Sequence, residues 1–268
     1  MAGKVTGRVR SANGTEIAFD RVGEGPPVVL VGGALNLRAF PPLAEMASLL
    51  ASDFTVINYD RRGRGDSGDA DAYAVAREVE DLEALLPEAG GSAYAYGISS
   101  GAILALEAAA AGVALTKLAL FEPPVLVEGG VSSGDAEFSA RLEELISSGR
   151  RGDAVEFFLT GIGLPPEVVS GTRQSSAWPA MEAMAHTLLY DSALSEDPTL
   201  VTERLASVKA PALVIDSAGS SGGLGGSARA VADALPNGRR RTLKGEHHNV
   251  AGENVAATVT SFFLDSEL

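Results

Sequence analysis

Strand-like and helix-like segments alternate along most of this chain, and this alternation constrains the fold more than any other feature. The strand-like segments of the first half are Val28–Val31, Phe54–Tyr59, Ser92–Tyr96 and Leu115–Phe121. The first of them is apolar throughout, which is typical of a strand that is covered on both faces of a parallel sheet. The alternation therefore predicts an α/β fold with a mostly parallel sheet flanked by helices.

The same order continues to the end of the chain. The predicted helices of the sheet region are Pro42–Ala51, Tyr73–Leu86, Gly101–Ala111, Ala228–Leu235 and Val255–Leu264. Two later strands are expected at Ala212–Ile215 and Arg241–Leu243. The chain begins with an antiparallel hairpin, in which Val5–Arg10 and Glu16–Val22 flank a strong turn signal, Asn-Gly.

The stretch Val125–Ser207 interrupts the alternation, because it contains no strand-like segment. Its predicted helices are Glu137–Ser148, Asp153–Leu159 and Trp178–Leu189. A helical insertion between two strands of a parallel sheet is typical of a lid. We therefore expect a first part of the core at 1–124, a helical lid at 125–207 and a second part of the core at 208–268. The glycine-rich stretch Ser217–Ser227 is predicted to be a flexible loop.

The composition restricts the partners of the protein. Its 268 residues include 35 acidic and 21 basic side chains, for a net charge of −14. Nucleic acids and anionic membrane surfaces are bound through Lys and Arg, so we expect neither as a partner. The chain has no cysteine, which excludes disulfides and cysteine-ligated metals. Together with a polar N-terminal segment that does not resemble a signal peptide, this predicts a cytoplasmic protein.

The pentapeptide Gly97–Gly101, of sequence GISSG, lies between a predicted strand and an alanine-rich predicted helix. The serine at the centre of a G-x-S-x-G turn stands out from the sheet on a strained backbone, and the glycines avoid collisions with the neighbouring strand and helix. The helix start supplies free N–H groups and a positive dipole end for an oxyanion. The pattern predicts Ser99 as a nucleophile, because Ser100 is not centred between the glycines.

This turn, the order of the elements, the segment Asp60–Ser67 and a late histidine make the chain similar to the α/β-hydrolase superfamily. The resemblance covers nearly the whole chain and implies an α/β-hydrolase fold with a helical lid. Members usually carry His-Gly where this chain has Gly32 and Gly33, and the residue after that pair donates one oxyanion-hole N–H. The resemblance therefore implies an oxyanion hole formed by the backbone N–H groups of Ala34 and Ser100.

A second glycine pattern, Gly63–Gly68, matches G-x-G-x-x-G and follows a predicted strand. Glu80 and Asp81 lie at the spacing of a ribose-binding acid, so the pattern in isolation would indicate a dinucleotide site. That fingerprint belongs to the first strand-to-helix turn of its unit, whereas a hairpin and two further strands come earlier here. The family resemblance accounts for the same residues as a structural turn, so we expect no cofactor.

The three histidines are His186, His247 and His248. A serine nucleophile needs a histidine as general base and then general acid. The superfamily places this residue after the last strand in a Gly-x-x-His pattern, and here that pattern runs from Gly245 to His248. The resemblance therefore implies His248. His247 receives no role, and His186 is expected to line the pocket or to belong to the core.

The carboxylate that orients the histidine has two candidates. The superfamily usually places it after the strand Ala212–Ile215, but this chain has Gly219–Ser221 there. Asp216 stands at the tip of that strand, and Glu122 follows the preceding strand. Some branches, including haloalkane dehalogenases and zearalenone-type lactonases, take their acid from that earlier strand, and two prolines after Glu122 would hold its backbone rigid. We favour Glu122 and keep Asp216 as the alternative acid.

Large apolar side chains at helical spacing in the predicted lid indicate an apolar pocket. The residues expected to line it are Trp178, Met181, Met184 and Tyr190. The sequence thus predicts a carboxylic-ester hydrolase that acts on a hydrophobic ester or lactone through a Ser-His-Glu triad and an acyl-enzyme, without a metal. The alternative is a non-hydrolytic member of the superfamily, such as a biosynthetic cyclase or a hormone receptor. The sequence does not define an oligomeric state.

Overall fold

A computed structural model describes residues 3–70, 72–125, 136–195, 203–220 and 223–265, and an eight-stranded sheet lies at its centre. The strand order is β1-β2-β4-β3-β5-β6-β7-β8; β1–β2 and β2–β4 are antiparallel pairs, and the others are parallel. The strands are Val5–Arg10 (β1), Glu16–Val22 (β2), Pro27–Val31 (β3), Thr55–Tyr59 (β4), Ala93–Ile98 (β5), Leu115–Phe121 (β6), Ala212–Ser217 (β7) and Gly238–Leu243 (β8). The predicted mostly parallel sheet is confirmed.

Helices connect the parallel strands, and further helices occur in the described part of the segment between β6 and β7. Those of the sheet region are Leu43–Leu50 (α1), Val75–Leu85 (α2), Ser100–Ala110 (α3), Gly223–Ala234 (α9) and Gly252–Leu264 (α10). Between β6 and β7 lie Ala136–Ser147 (α4), Arg151–Gly161 (α5), Pro166–Arg173 (α6), Trp178–Ala183 (α7) and Leu188–Ser195 (α8). None of the described helices is long and apolar enough to cross a membrane.

Alternate residues of each central strand face opposite sides of the sheet. Val29 and Val31 of β3 belong to an apolar cluster with side chains of α2, α3 and α9. Val28 and Leu30 of the same strand belong to a second cluster with α1 and α10. Because both faces are covered, these strands are apolar at every position, as the sequence of Val28–Val31 predicts. The sheet therefore separates two apolar cores.

Helices α4 to α8, here called the helical insertion, lie over the carboxyl edge of the sheet. Their buried side chains form a third apolar cluster. Helix α6 was not predicted; its sequence offers one buried apolar side chain, Val169, and therefore a weak periodic signal. The single helix predicted at Trp178–Leu189 is divided, because a short 3₁₀ turn, Ala185–Thr187, separates α7 from α8. The turn keeps Met184 and Leu188 buried, so the spacing of the apolar side chains does not reveal the break.

Within Ser217–Ser227, which was predicted to be a flexible loop, residues 218–220 form a turn, but the prediction is wrong for Ser217 and for residues 223–227. Ser217 is the last residue of β7, and α9 begins at Gly223 rather than at Ala228. A Cβ on Gly225 would lie 2.5 Å from the carbonyl oxygen of Ser220, so a glycine is required there by close packing. Leu224 of α9 is buried, and this burial outweighs the low helix propensity of the glycines.

Candidate active site

Ser99 occupies the sharp turn between β5 and α3. Its backbone has φ 55° and ψ −128°, a positive-φ conformation that costs a non-glycine residue about 1–3 kcal/mol. A Cβ on Gly97 would lie 2.6 Å from Cα of Ala102, and a Cβ on Gly101 would lie 2.2 Å from the carbonyl oxygen of Val31. Both glycines are therefore required where β3, β5 and α3 approach each other, which is the physical reason for the G-x-S-x-G pattern.

Residues with a strained backbone conformation lie at one edge of the sheet. In the described part of the chain, the non-glycine residues with positive φ are Leu35, Ser99, Glu122 and His248. They follow β3, β5, β6 and β8 respectively. The carboxyl ends of parallel strands meet at this edge, where the sites of open α/β sheets form. Because strained residues persist where the surrounding structure holds them, often at active sites, this edge is the candidate site.

Glu122 and His248 are hydrogen-bonded to each other. Oε2 of Glu122 lies 2.5 Å from Nδ1 of His248, and its Oε1 accepts the backbone N–H of Ser217 at 2.8 Å. The backbone N–H of His248 donates to Oγ of Ser220 at 3.1 Å. With the proton on Nδ1, the imidazole donates to the carboxylate and presents the lone pair of Nε2 on its opposite side. This is the orientation in which an imidazole can serve as a base.

The carboxyl group of Glu122 is completely buried, yet its surroundings favour the charged form. Burial alone would raise its pKa. Hydrogen bonds from His248, from the backbone of Ser217 and from Ser220 outweigh this effect and hold the pKa of Glu122 below its usual range. The group is therefore an anion at neutral pH, and it can stabilise an imidazolium at His248.

Asp216, the alternative acid, is not brought to His248. Its Oδ1 accepts hydrogen bonds from Oγ1 of Thr242 at 2.9 Å and from Nε of Arg240 at 3.2 Å, and its Oδ2 accepts Nη2 of Arg240 at 2.6 Å. Both partners belong to β8, at the edge of the sheet. The structure thus places Asp216 as a support for the pairing of β7 with β8.

Ala34 and Ser100 border the same cavity as Ser99 and His248. Ser100 is the first residue of α3, so its backbone N–H has no acceptor within the helix. The loop that carries Ala34 packs directly on the nucleophile turn, since a Cβ on Gly33 would lie 2.9 Å from Cβ of Ser99. The two residues expected to hold an oxyanion therefore lie beside Ser99.

The segment that contains the G-x-G-x-x-G match forms a network of buried ion pairs. Arg61, Arg62 and Arg64 are among the largest buried side chains of the protein. Arg61 binds Glu78 with two hydrogen bonds of 2.6 Å, and Arg62 binds Asp81 with two of 2.7 Å. Buried charges require such partners. A dinucleotide site would direct the carboxylate of Asp81 to a ribose, but here both of its oxygens accept hydrogen bonds from Arg62.

A further buried carboxylate, Asp191 of α8, joins this network to the site. It accepts hydrogen bonds from Arg61 at 2.8 Å, from Arg64 at 2.8 and 2.9 Å, and from Oγ of Ser100 at 2.7 Å. Burial alone would raise the pKa of Asp191, but the charges of Arg64 and Arg61 and the bond from Ser100 lower it. Asp191 was not predicted from the sequence. Three arginines after a buried strand indicate that buried carboxylates must exist, but not where in the chain they are.

A cavity of about 340 Å³ opens beside Ser99. Much of its wall is apolar and comes from Phe40, Phe158, Leu159, Ile162, Leu164 and Met181. Of the four residues expected to line a pocket, Met181 does so, whereas Trp178 and Met184 are buried within the helical insertion. Tyr190 stacks on Tyr73, with 3.9 Å between the ring centroids. Helical spacing identifies side chains that pack, but not whether they pack against a cavity or against another helix.

The other two histidines differ in position. His247 lines the cavity together with His248. Nε2 of His186 lies 3.0 Å from Oδ2 of Asp69, whose carboxylate also accepts the hydroxyl of Tyr190 at 3.1 and 3.2 Å. His186 therefore holds the helical insertion against the loop after β4 and does not border the cavity.

Comparison with known proteins agrees with this architecture. The model of the Alpha/beta hydrolase family matches residues 28–259. The match covers most of the chain, so the protein belongs to the alpha/beta hydrolase family. The α/β-hydrolase fold expected from the sequence is thereby confirmed.

Individual relatives are hydrolases. The crystal structure of an alpha/beta hydrolase from Sphaerobacter thermophilus is 48% identical, with a TM-score of 0.87 over 96% of this chain and 100% of that one. The structure of the esterase RhEst1 from Rhodococcus is 20% identical, with a TM-score of 0.70 over 96% of this chain and 98% of the other, and shows the same fold. An uncharacterized hydrolase of Bacillus subtilis, YraK, is 35% identical over 99 residues, a match that spans 35% of this chain and 35% of that relative. These likenesses support a hydrolytic role.

Proposed function

We propose that this protein hydrolyses carboxylic esters, with Ser99 as nucleophile, His248 as general base and acid, and Glu122 as the carboxylate that orients the imidazole. The observation that carries the proposal is the buried bond between Glu122 and His248, at a cavity that Ser99 also borders. A carboxylate, an imidazole and a serine on a strained turn are the components of acyl transfer through a covalent intermediate.

The reaction runs in two halves. In the first, Oγ of Ser99 attacks the ester carbonyl carbon while its proton passes to Nε2 of His248. The carbon–oxygen bond of the ester then breaks, and His248 returns the proton to the leaving alcohol. In the second half, a water molecule loses its proton to His248 and attacks the acyl-enzyme, and Ser99 leaves as the restored hydroxyl. Glu122 keeps its charge throughout and stabilises the imidazolium.

The negative charge that develops on the carbonyl oxygen needs donors that are already in place. The backbone N–H groups of Ala34 and Ser100 serve this purpose in the proposal, because both residues border the cavity beside Ser99. Removing one such donor in a serine hydrolase lowers kcat by about 10² to 10³.

The walls of the cavity favour a small, uncharged and largely apolar ester. Its volume of about 340 Å³ falls within the range of small-molecule sites. Among the described residues that line it, no lysine or arginine occurs, and Asp191, its one carboxylate, is already bonded to two arginines. A negatively charged substrate would find neither a lysine nor an arginine among these described residues. Both open-chain esters and lactones fit these requirements, and no cofactor enters the reaction.

A serine-reactive fluorophosphonate and a series of p-nitrophenyl esters from acetate to octanoate test the proposal. We expect the probe to label the wild type at Ser99. Ser99→Ala and His248→Ala should each lower kcat by roughly 10⁴ or more in a folded protein, and the double variant should be little worse than either one. A panel of lactones then separates ring opening from the hydrolysis of open-chain esters.

Matched variants control for the substitutions themselves. Ser48→Ala, on the exposed face of α1, and His186→Ala, away from the cavity, should label and turn over like the wild type. Labelling or turnover that survives Ser99→Ala would refute the mechanism. A wild type that neither labels nor hydrolyses any ester would favour the non-hydrolytic alternative.

A further inference from the structure

The carbonyl groups of the loop after β3 are bound by buried arginines. Nη1 of Arg64 donates to the carbonyl oxygen of Gly33 at 2.6 Å, and Nη1 of Arg61 donates to that of Gly32 at 3.2 Å. The carbonyl of Gly33 belongs to the same peptide unit as the N–H of Ala34. In a trans peptide the two groups point in opposite directions. An arginine that fixes the carbonyl on one side therefore fixes the direction of the N–H on the other.

We propose that Arg64 and Asp191 are positioning residues that act on the oxyanion hole through the Gly33–Ala34 peptide. The inference rests on the proposed function and extends it to residues outside the triad. A charged donor at the carbonyl orients the peptide plane. It also polarises the amide, so the N–H of Ala34 becomes a stronger donor to a developing oxyanion.

Asp191 connects Arg64 to the second donor residue. Each carboxylate oxygen of Asp191 accepts a hydrogen bond from Nη2 of Arg64, and Oδ1 also accepts one from Oγ of Ser100. The backbone N–H of Ser100 is the second donor of the proposed oxyanion hole. One carboxylate thus holds the side chains behind both oxyanion donors. Its charge also balances that of Arg64, so the arginine acts through the peptide and not as an uncompensated cation.

The network also ties the hole to the helical insertion. Asp191 lies on α8, and Nε of Arg64 donates to Oγ1 of Thr187 in the 3₁₀ turn before α8, at 3.1 Å. The superfamily's usual histidine is replaced by Gly32 in this loop, so no side chain at that position can brace it. The carbonyl groups of this loop are held by Arg61 and Arg64.

Arg62 provides a matched comparison within the same segment. It is as deeply buried as Arg64 and forms an equally direct pair with a carboxylate, Asp81. Its hydrogen bonds go to Asp81 and to the carbonyl of Arg77, neither of which belongs to the loop after β3. Loss of either arginine breaks a buried ion pair, but only Arg64 binds the peptide that carries the Ala34 N–H.

The test compares Arg64→Gln and Arg64→Lys with Arg62→Gln and Arg62→Lys. Each variant is assayed for Tm, for kcat and KM on one p-nitrophenyl ester, and for inhibition by an alkyl boronic acid, whose tetrahedral adduct on Ser99 places an oxygen in the hole. We expect Arg64→Gln to lower kcat about 10- to 100-fold with little change in KM, and to weaken the boronic acid in proportion. Arg64→Lys, which keeps a charged donor, should recover part of the loss.

The Arg62 variants should lower Tm as much as the Arg64 variants while keeping kcat and boronic acid affinity near those of the wild type. Equal kcat losses at the two arginines, or an Arg64 effect confined to Tm and KM, would overturn the inference. If the Arg64 variants do not fold, Asp191→Asn replaces them in the same assays. An Asp191→Asn variant that does not fold, or that keeps a normal kcat, would also overturn the inference. The wild type is measured first: if its turnover does not depend on Ser99, the proposed function fails, whatever Arg64 does.

Discussion

The ends of β6 and β7 carry two buried acidic residues on neighbouring parallel strands, and the two have different surroundings. Glu122 binds His248 and the backbone of Ser217, whereas Asp216 binds Arg240 and Thr242 of β8. The strands themselves are in contact there, since the N–H of Glu122 donates to the carbonyl of Ile215 at 2.9 Å. Proximity to the carboxyl edge of the sheet therefore does not decide which acid meets the histidine.

The difference lies in where each residue stands relative to the end of its strand. Asp216 is still inside β7, paired with Thr242 in register, so its side chain lies along the sheet toward the edge strand. Glu122 is the first residue beyond β6 and has φ 47°, a conformation that turns the chain away from the strand direction. Asp216 supports the sheet because it is still part of its strand. Glu122 reaches the site because its strand has already ended and the strained backbone turns there.

The largest expected effect comes from replacing each acid by its amide. Glu122→Gln keeps the shape but favours the wrong tautomer of His248, and the corresponding replacement of aspartate by asparagine in a serine protease costs about 10⁴ in kcat. Asp216→Asn should retain most of the activity and lower the free energy of unfolding by about 1–3 kcal/mol, through weaker bonds to Arg240 and Thr242. The measurements are kcat on one good ester and urea unfolding of both purified variants.

Circular dichroism establishes that each variant is folded before its activity is compared. An inactive Asp216→Asn next to an active Glu122→Gln would move the acid to β7. Full activity in both variants would mean that neither carboxylate orients His248.

A smaller effect is expected from moving the carboxylate back to the loop after β7. Oγ of Ser220 already accepts the backbone N–H of His248, and this residue lies where the superfamily usually carries its acid. In the double variant Glu122→Gln, Ser220→Asp, we expect kcat to rise about tenfold or more above that of Glu122→Gln, because a carboxylate again faces the imidazole. Steady-state kinetics on the same ester measure the recovery.

The control for this rescue is Glu122→Gln, Ser220→Asn, which adds a side chain of the same shape without the charge. It should show no recovery. Equal rates in the Asp and Asn double variants would indicate that a carboxylate in the loop after β7 cannot replace the carboxylate of Glu122.

The smallest expected effect is a change in stability with pH. Glutamate in an unfolded chain titrates near pH 4.3, and the pKa of Glu122 in the folded protein is lower. Its charged form therefore stabilises the fold above the unfolded value, and this contribution is lost as the pH falls through the folded pKa. We expect the difference in free energy of unfolding between the wild type and Glu122→Gln to be largest near neutral pH and to shrink below about pH 4.

Urea unfolding at several pH values provides the measurement. Ser99→Ala, which leaves Glu122 and His248 in place, should follow the wild type throughout. A difference that stays constant down to the acid limit would show that the charge of Glu122 does not contribute to stability.

Local patterns were sufficient for much of this architecture. The apolar run Val28–Val31 and the segments that follow it predict the central strands, because burial on both faces leaves no room for polar side chains. The nucleophile turn is also visible in a short stretch of sequence, Gly97–Gly101, although the contact that requires Gly101 is made with Val31 of the distant strand β3. The start of α9 at Gly223 was missed, because helix propensity describes an isolated segment and the burial of Leu224 depends on the rest of the fold.

The sequence by itself determined the order of the strands and of the helices that connect them, the serine turn and two candidate acids, because these depend on the spacing of residues along the chain. Only the tertiary structure decided which acid meets His248, and that Met181 but not Trp178 faces the cavity. Only there does Asp191 of α8 meet Arg61 and Arg64, more than a hundred positions away in the chain. Such pairings depend on the direction in which a side chain leaves its turn or helix and on which residue faces it in the folded protein. The spacing of residues along the chain indicates neither.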